Sequence, residues 1–466
     1  MGTKEELQGH LQQVGQEHLL RHWDALTAPQ RESLARQIQS LDFTALRRFV
    51  TGADDTPDWA QLAERAAPPR AIRRQIAANE ISQEAARKRG NEALAAGQIG
   101  MILVAGGQGT RLGFSQPKGM FPIGPVSGRT LFQVLVDRLT AVARRHRVRI
   151  PLYVMTSTAT HDETVGYFES QQWLGLDRAD VYFFRQGMLP AVDRRTGQVL
   201  LSAPDELALS PDGHGGMLAA LSNSGCLADA RQRGVTVFFY GQVDNPLLQV
   251  CDAEFIGYHL LAGSEMTTQV VQKRFALERV GNVVDLDGKT QIIEYSDLPQ
   301  TVAERTNADG SLYLWAGNTA VHAFARDFLE REAADALGLP IHRATKKVPY
   351  VGDDGQLIKP AEPNATKFER FIFDLLPRAR QTIVVEVAAE EAFAPVKNAA
   401  TEKVDTPETA QAAMIRRDRE LLRAAGMTVP DGVAVEVHPG WAMDASDAAG
   451  RRGAARQVRA PEFFAP

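Results

Sequence analysis

Residues 102–118 read Ile-Leu-Val-Ala-Gly-Gly-Gln-Gly-Thr-Arg-Leu-Gly-Phe-Ser-Gln-Pro-Lys. The apolar start predicts the end of a strand, which empties into a turn carrying Gly106, Gly107 and Gly109, with Arg111 and Lys118 close behind. Lacking a side chain, glycine lets the backbone turn sharply and approach a ligand. Successive N–H groups can then cradle an anion, and Arg111 and Lys118 supply the countercharge a triphosphate needs. A tight turn with no ligand would account for the glycines but not for two cations beside them. The stretch predicts an α/β fold in which a strand ends in a nucleotide-binding loop.

Two better-known glycine loops do not fit. A P-loop places Gly-Lys-Ser/Thr after its turn, whereas Gly113 is followed by Phe114. A dinucleotide fingerprint needs G-x-G-x-x-G and an acidic residue ending a second strand about 20 residues on. Gly107, Gly109 and Gly113 miss that spacing by one residue, and residues 130–147 read as a helix. A nicotinamide-dependent oxidoreductase is therefore the weaker reading.

A chain of 466 residues suggests about three domains. Its net charge of −5 gives no support for general nucleic-acid binding, so any anion site must be local. Cys226 and Cys251 make neither a metal-ligand spacing nor a disulfide framework, which favours a reducing compartment. Met1 to Gln8 are polar and charged, unlike a signal peptide. No run approaches the roughly 18 apolar residues of a membrane span. A cytoplasmic protein with no membrane partner is expected, its oligomeric state left open.

Outward from the loop, the pattern divides in three. Residues 1–97 form an N-terminal helical region, with Leu7, Leu11 and Val14, then Leu34, Ile38, Leu41 and Leu46, at helical spacing. Asp54, Asp55, Pro57, Pro68 and Pro69 interrupt it as a loop, and a further helix is expected over 80–97. Residues 98–395 carry strand candidates at 101–105, 151–156, 180–185, 235–240 and 382–387, separated by helices. Thr130 opens the helix over 130–147, and Thr160 and Glu163 have capping-box spacing at the head of another. Strands apolar throughout imply a mainly parallel sheet with helices on both faces. Such sheets bind ligands beyond the carboxyl ends of their strands, which is where the glycine loop falls. An antiparallel hairpin is expected where 283–286 and 291–295 flank Asp287-Gly288. Residues 396–466 form a small C-terminal domain, with a helix at 407–425.

Further strand ends carry polar residues. Gln186-Gly187-Met188-Leu189-Pro190 follows one strand, and Pro211-Asp212-Gly213-His214-Gly215-Gly216 opens a helix as a second ligand cradle. Asp244 falls at the tip of the strand ending near 240. A carboxylate opposite a phosphate loop suits Mg²⁺, which takes one or two carboxylates and completes its shell with phosphate oxygens and water. Turn capping is the plainer role for Asp244, and a structural loop histidine the plainer one for His214.

Taken together, these segments resemble the eukaryotic-type UDP-N-acetylhexosamine pyrophosphorylases, within the wider family of UTP-dependent sugar-1-phosphate uridylyltransferases. The matching stretches begin with Leu-Val-Ala-Gly-Gly-Gln-Gly-Thr-Arg-Leu-Gly, Pro-Lys-Gly-Met, Gln-Gly-Met-Leu-Pro, Pro-Asp-Gly-His-Gly-Gly and Val-Asp-Asn. They continue in the family's order with Ile-Glu-Tyr-Ser-Asp (293–297), Ala-Gly-Asn (316–318), Ile-Lys-Pro (358–360), Phe-Ile-Phe-Asp (371–374) and Pro-Val-Lys-Asn-Ala (395–399). The resemblance implies a Rossmann-like nucleotidyltransferase domain acting on UTP and a sugar 1-phosphate, with magnesium as cofactor. It implies that Gly106, Gly107 and Gly109 hold the nucleotide, and that Arg111 and Lys118 take the phosphates that leave. Gln186 and Gly213 match uracil-recognising positions, Asp244 the magnesium aspartate, and Lys397 a lysine that neutralises the reacting phosphates. Glu294 and Asn318 match sugar-hydroxyl contacts, with Phe371 and Phe373 near the sugar.

His214 departs from the pattern. The N-acetylhexosamine branch usually carries asparagine there, and histidine is similar to the Gly-His-Gly of UDP-glucose and UDP-sugar pyrophosphorylases. Gly216, the Gln-Gly-Met-Leu-Pro stretch and the Glu-Tyr-Ser segment favour the acetylated sugar. N-acetylglucosamine 1-phosphate is thus the leading expected substrate, and glucose 1-phosphate or a broad sugar range the alternative. A non-catalytic nucleotide-sugar sensor would not need Arg111, Lys118, Asp244 and Lys397 together.

Overall fold

The computed structural model describes residues 4–52, 58–73, 80–335, 338–451 and 456–466. Asp54, Asp55 and Pro57 of the expected loop lie outside the described residues. Contact density divides the chain into two compact units, each built from separated stretches: Met1–Asp58, Gln186–Ala219 and Leu337–Asp374 in one, the remainder in the other. These lines differ from the three consecutive segments read from the sequence, because later strands return to complete the core of the N-terminal helices.

The larger unit is mixed α/β, built on a ten-stranded, mainly parallel sheet. Its principal strands run in the order Thr382–Glu386, Met266–Gln272, Ala316–Ala325, Val237–Gln242, Ile99–Val104, Leu152–Thr156, Val181–Arg185. Neighbours are parallel throughout except at Ala316–Ala325, which runs antiparallel to both strands beside it. Leu152–Thr156 is buried at every position, and since successive side chains point to opposite faces, both faces are covered there. Helices Gln83–Ala95, Leu131–His146, Ala253–Leu261 and Pro407–Ala424 contribute Leu94, Leu135, Phe255 and Met414 to the core with Leu103, Val154 and Phe239 of the strands.

The two longest strands that escape the sequence reading are Met266–Gln272 and Ala316–Ala325. Their buried faces carry Thr267, Thr268, Gln269 and His322, so they lack an apolar run. Burying these groups is tolerable because they bond one another. Thr267 Oγ1 meets His259 Nδ1 at 2.8 Å, Thr268 Oγ1 meets His322 Nδ1 at 3.2 Å, and Thr319 Oγ1 donates to the Gln269 carbonyl at 3.0 Å.

The hairpin forms as Asn282–Leu286 and Lys289–Ile293, with Leu286 opposite Lys289. Asp287 and Gly288 both take positive φ, 54° and 81°, the mirror-image turn that matches strand twist. Thr130 caps Leu131–His146 in a reciprocal box with Gln133. Thr160 precedes His161–Ser170 but makes no such box; its hydroxyl meets the backbone N–H and hydroxyl of Ser157 instead, at 3.1 and 3.0 Å.

The smaller unit packs helices Lys4–Val14, Ala28–Gln39 and Phe43–Thr51 on short strands. Leu11, Leu34, Ile38, Leu46 and Phe49 join Val192, Val199 and Phe368 in one core. An antiparallel sheet orders His342–Lys346, Ala365–Glu369 and Val192–Asp193. Among the described residues, no helix is long and apolar enough to cross a membrane.

Candidate functional site

In the larger unit the glycine loop leaves Ile99–Val104 while Asp244 leaves the adjacent parallel strand, whose Gln242 pairs with Val104. Both therefore emerge at carboxyl ends, where open parallel sheets bind ligands. The loop folds on itself. Gly109 N–H donates to the Gln116 carbonyl and Lys118 N–H to the Gly107 carbonyl, each at 3.0 Å. A Cβ on Gly109 would lie 2.7 Å from the Phe114 ring, whereas one on Gly107 would meet nothing within 4 Å. Gly109 is thus required by the loop's own packing, and Gly107 presents open backbone. Arg111 is exposed, with no ion-pair partner among the described residues.

Lys118 turns inward, its ammonium 3.6 Å from the Asp244 carboxylate, with both side chains largely buried. Residues 392–396 are stitched to this strand end. Val396 N–H donates to the Asp244 carbonyl at 2.8 Å. The Asn245 side chain donates to the Ala392 carbonyl at 2.8 Å and accepts from Ala394 N–H at 3.1 Å. Lys397 follows at once, its own N–H donating to the Asp405 carbonyl at 2.7 Å. Burial pushes the Asp405 carboxyl above its usual range, against the pull of Lys397 and Arg274.

Glu294 and Asn318 gather around Gly281, where an added Cβ would lie 3.3 Å from Glu294 Oε1 and 3.7 Å from Asn318 Cβ. Asn318 N–H donates to the Gly281 carbonyl at 2.8 Å. Beside them lies Lys273, which the sequence reading missed. Its ammonium donates to Asn282 Oδ1 at 2.6 Å, and burial lowers its pKa to about 8.

The smaller unit gathers Gly213, His214, Phe371 and Phe373. Gly213 has φ 82°, and a Cβ there would lie 2.4 Å from the Arg370 carbonyl, so only glycine suits this turn. His214 stacks on Phe371 with ring centroids 5.3 Å apart at 18° and lies 5.5 Å from Phe373. Its Nδ1 accepts from Ile372 N–H at 3.1 Å, which fixes the tautomer with the proton on Nε2. Burial lowers its pKa to about 4, aided by His342, so it is neutral at neutral pH. His342 itself, also missed, packs 4.2 Å from Phe371 and meets the Asp374 carboxylate at 2.8 Å. Gln186 is buried and opens the Gly187 turn, whose carbonyl accepts from Asp212 N–H at 3.1 Å.

No group of three or more His, Cys, Asp or Glu side chains suited to a metal ion occurs among the described residues. A lone carboxylate such as Asp244 suits an ion that keeps water and substrate oxygens as its other ligands. A cleft of about 550 Å³ beside Trp441 contains none of the expected site residues. Two of the charges lining it, Arg145 and Asp447, already pair with each other, so its volume does not mark a catalytic centre.

The family model described as UTP–glucose-1-phosphate uridylyltransferase matches residues 43–408. UDP-N-acetylhexosamine pyrophosphorylase-like protein 1 of Homo sapiens is 36% identical over 95% of this chain and 89% of its own. UDP-N-acetylglucosamine pyrophosphorylase of Saccharomyces cerevisiae is 34% identical over 91% of this chain and 92% of its own. The solved uridine diphosphate N-acetylglucosamine pyrophosphorylase of Trypanosoma brucei superposes with a TM-score of 0.82 at 24% identity, over 100% of this chain and 99% of that one.

Proposed function

The chain belongs to the UTP–glucose-1-phosphate uridylyltransferase family, and on that premise we propose that it makes UDP-N-acetylglucosamine and pyrophosphate from UTP and N-acetylglucosamine 1-phosphate. The names of its relatives support the acetylated sugar. The observation that carries the chemistry is the meeting of Lys118 with Asp244, with Lys397 tied to the same strand end. The larger unit is read as a Rossmann-like nucleotidyltransferase domain.

A phosphate oxygen of the sugar 1-phosphate attacks the α-phosphorus of UTP in line. The new O–P bond forms as the bond to the bridging oxygen breaks, and pyrophosphate leaves with that electron pair. The nucleophile is already an anion and needs no general base. What opposes the step is repulsion between two phosphates, so catalysis is positioning and charge neutralisation. Gly106 and Gly107 offer backbone to the nucleotide, while Gly109, whose N–H is already given to the Gln116 carbonyl, shapes the loop that presents them. Arg111 and Lys118 take the departing phosphates, and Lys397 neutralises the groups brought together. Magnesium held by Asp244 and the triphosphate oxygens would supply further charge neutralisation. Gln186 and Gly213 would recognise uracil. The sugar-recognising candidates are Glu294 and Asn318 within the larger unit and, within the smaller one, Phe371, Phe373 and His214, the last as a neutral Nε2–H donor. The two free, buried cysteines support a reducing, cytoplasmic location.

Lys397→Ala and Asp244→Ala are each expected to lower kcat by about 10²-fold or more; near-normal turnover in either would remove that residue from the mechanism. The reading as a whole is tested by pyrophosphate release from UTP and magnesium with N-acetylglucosamine, N-acetylgalactosamine and glucose 1-phosphates in parallel. Preference for N-acetylglucosamine 1-phosphate is expected. Preference for glucose 1-phosphate would make His214 the mark of a different sugar pocket, and no release with any of them would leave a nucleotide-sugar sensor.

A further inference from the structure

We infer that Asp405 is a positioning residue for Lys397, acting through its backbone: a left-handed conformation turns one carbonyl onto the N–H groups of both Lys397 and Asn398. The two bonds measure 2.7 and 2.9 Å, and Asp405 has φ 55°. Few residues other than glycine adopt that region; Asp and Asn are enriched there, and β-branched residues are strained. The next residue, Thr406, is the N-cap of Pro407–Ala424, so the chain reverses at Asp405 and starts a helix immediately. A further tie closes the same loop, from the Asn398 side-chain amide to the Val404 carbonyl at 2.9 Å.

The opposite flank of Lys397 is held as well, because Val396 N–H donates to the Asp244 carbonyl at 2.8 Å. Lys397 therefore sits between two backbone ties, one to Asp244 and one to Asp405. Only its side chain is left to move, and its ammonium lies 5.8 Å from the centre of the Phe393 ring. The Asp405 carboxylate faces the charges of Lys397, Arg274, Glu278 and Asp244, so its own charge is the rival explanation for any effect of mutation. The inference rests on the reading of Lys397 as a phosphate-neutralising group. A displacement of about 1 Å at such a group can cost on the order of 10²-fold in rate.

The test compares Asp405→Gly, Asp405→Asn and Asp405→Val with Lys397→Ala in the full chain, reading kcat, KM for UTP and the melting temperature. Gly and Asn tolerate positive φ but lack the charge, and both are expected to keep kcat within about 3-fold of the wild type. Val approximates the size of Asp but resists positive φ. It is expected to lower kcat by about 10- to 100-fold while KM for UTP and melting stay near wild type. A merely structural role would lower melting instead and leave the kcat of the folded fraction unchanged. Loss of turnover in Asp405→Gly and Asp405→Asn would overturn the inference, because the carboxylate would then be what matters. Wild-type turnover in Asp405→Val, with Lys397→Ala slow, would overturn it while sparing the role of Lys397. Wild-type turnover in Lys397→Ala would sink the reading beneath it.

Discussion

Asp212 determines what its neighbours can be. A Cβ on Gly187 would lie 2.4 Å from its carboxylate, and one on Gly216 would lie 1.9 Å away, so both glycines make room for this one side chain. Burial raises its pKa from 3.8 to about 6, with Arg370 only partly opposing. A carboxyl whose folded pKa is raised stabilises most fully below its unfolded pKa, and that contribution is lost as pH rises through the folded value. Wild-type stability should therefore fall, relative to an Asp212→Asn variant, between about pH 4 and about pH 6. Melting temperatures of the two across that window check this, and parallel curves would refute it. The motif around Asp212 was legible in the sequence; the burial that perturbs it was not. His342, Lys273 and Asp405 were missed for a related reason. Each lies outside the glycine-rich signatures and gains its significance from what folding brings beside it: Phe371 and Asp374, Asn282, and Lys397.

At the scale of elements, helices Gln83–Ala95 and Ala253–Leu261 cross on reciprocal glycines. A Cβ on Gly90 would lie 1.7 Å from the Ala253 carbonyl, and one on Gly257 would lie 1.7 Å from the Ala86 carbonyl. Gly166 stands in helix His161–Ser170 with nothing near it. The same substitution should thus have opposite signs. Gly90→Ala is expected to cost about 1–3 kcal/mol by forcing the helices apart, and Gly166→Ala to gain about 0.4–1 kcal/mol. Denaturant unfolding of both variants measures the contrast. Elements with an apolar run or an unambiguous turn were legible: the strand entering the glycine loop, the Asp287-Gly288 hairpin, the Thr130 cap. Met266–Gln272 and Ala316–Ala325 were not, since their burial depends on hydrogen bonds to residues distant in sequence.

For the whole molecule, the chain enters the smaller unit three times, so neither unit is a continuous stretch that could be excised. Deleting residues 4–51 would strip Leu11, Leu34, Ile38, Leu46 and Phe49 from the core they share with Val192, Val199 and Phe368. Limited proteolysis of that truncation is expected to cut within 186–219 and 337–374 while sparing the ten-stranded sheet; resistance at those sites would show a core that survives without its helices. The same interleaving imposes an order on synthesis. Met266–Gln272 is flanked on one side by Ala316–Ala325 and on the other by Thr382–Glu386. On the ribosome the second neighbour emerges long after the first. During that interval the growing chain carries an open strand edge, the kind of surface that invites pairing with another chain. Lys397 and Asp405 follow later still, so a nascent chain has that strand edge exposed before it has its charges assembled.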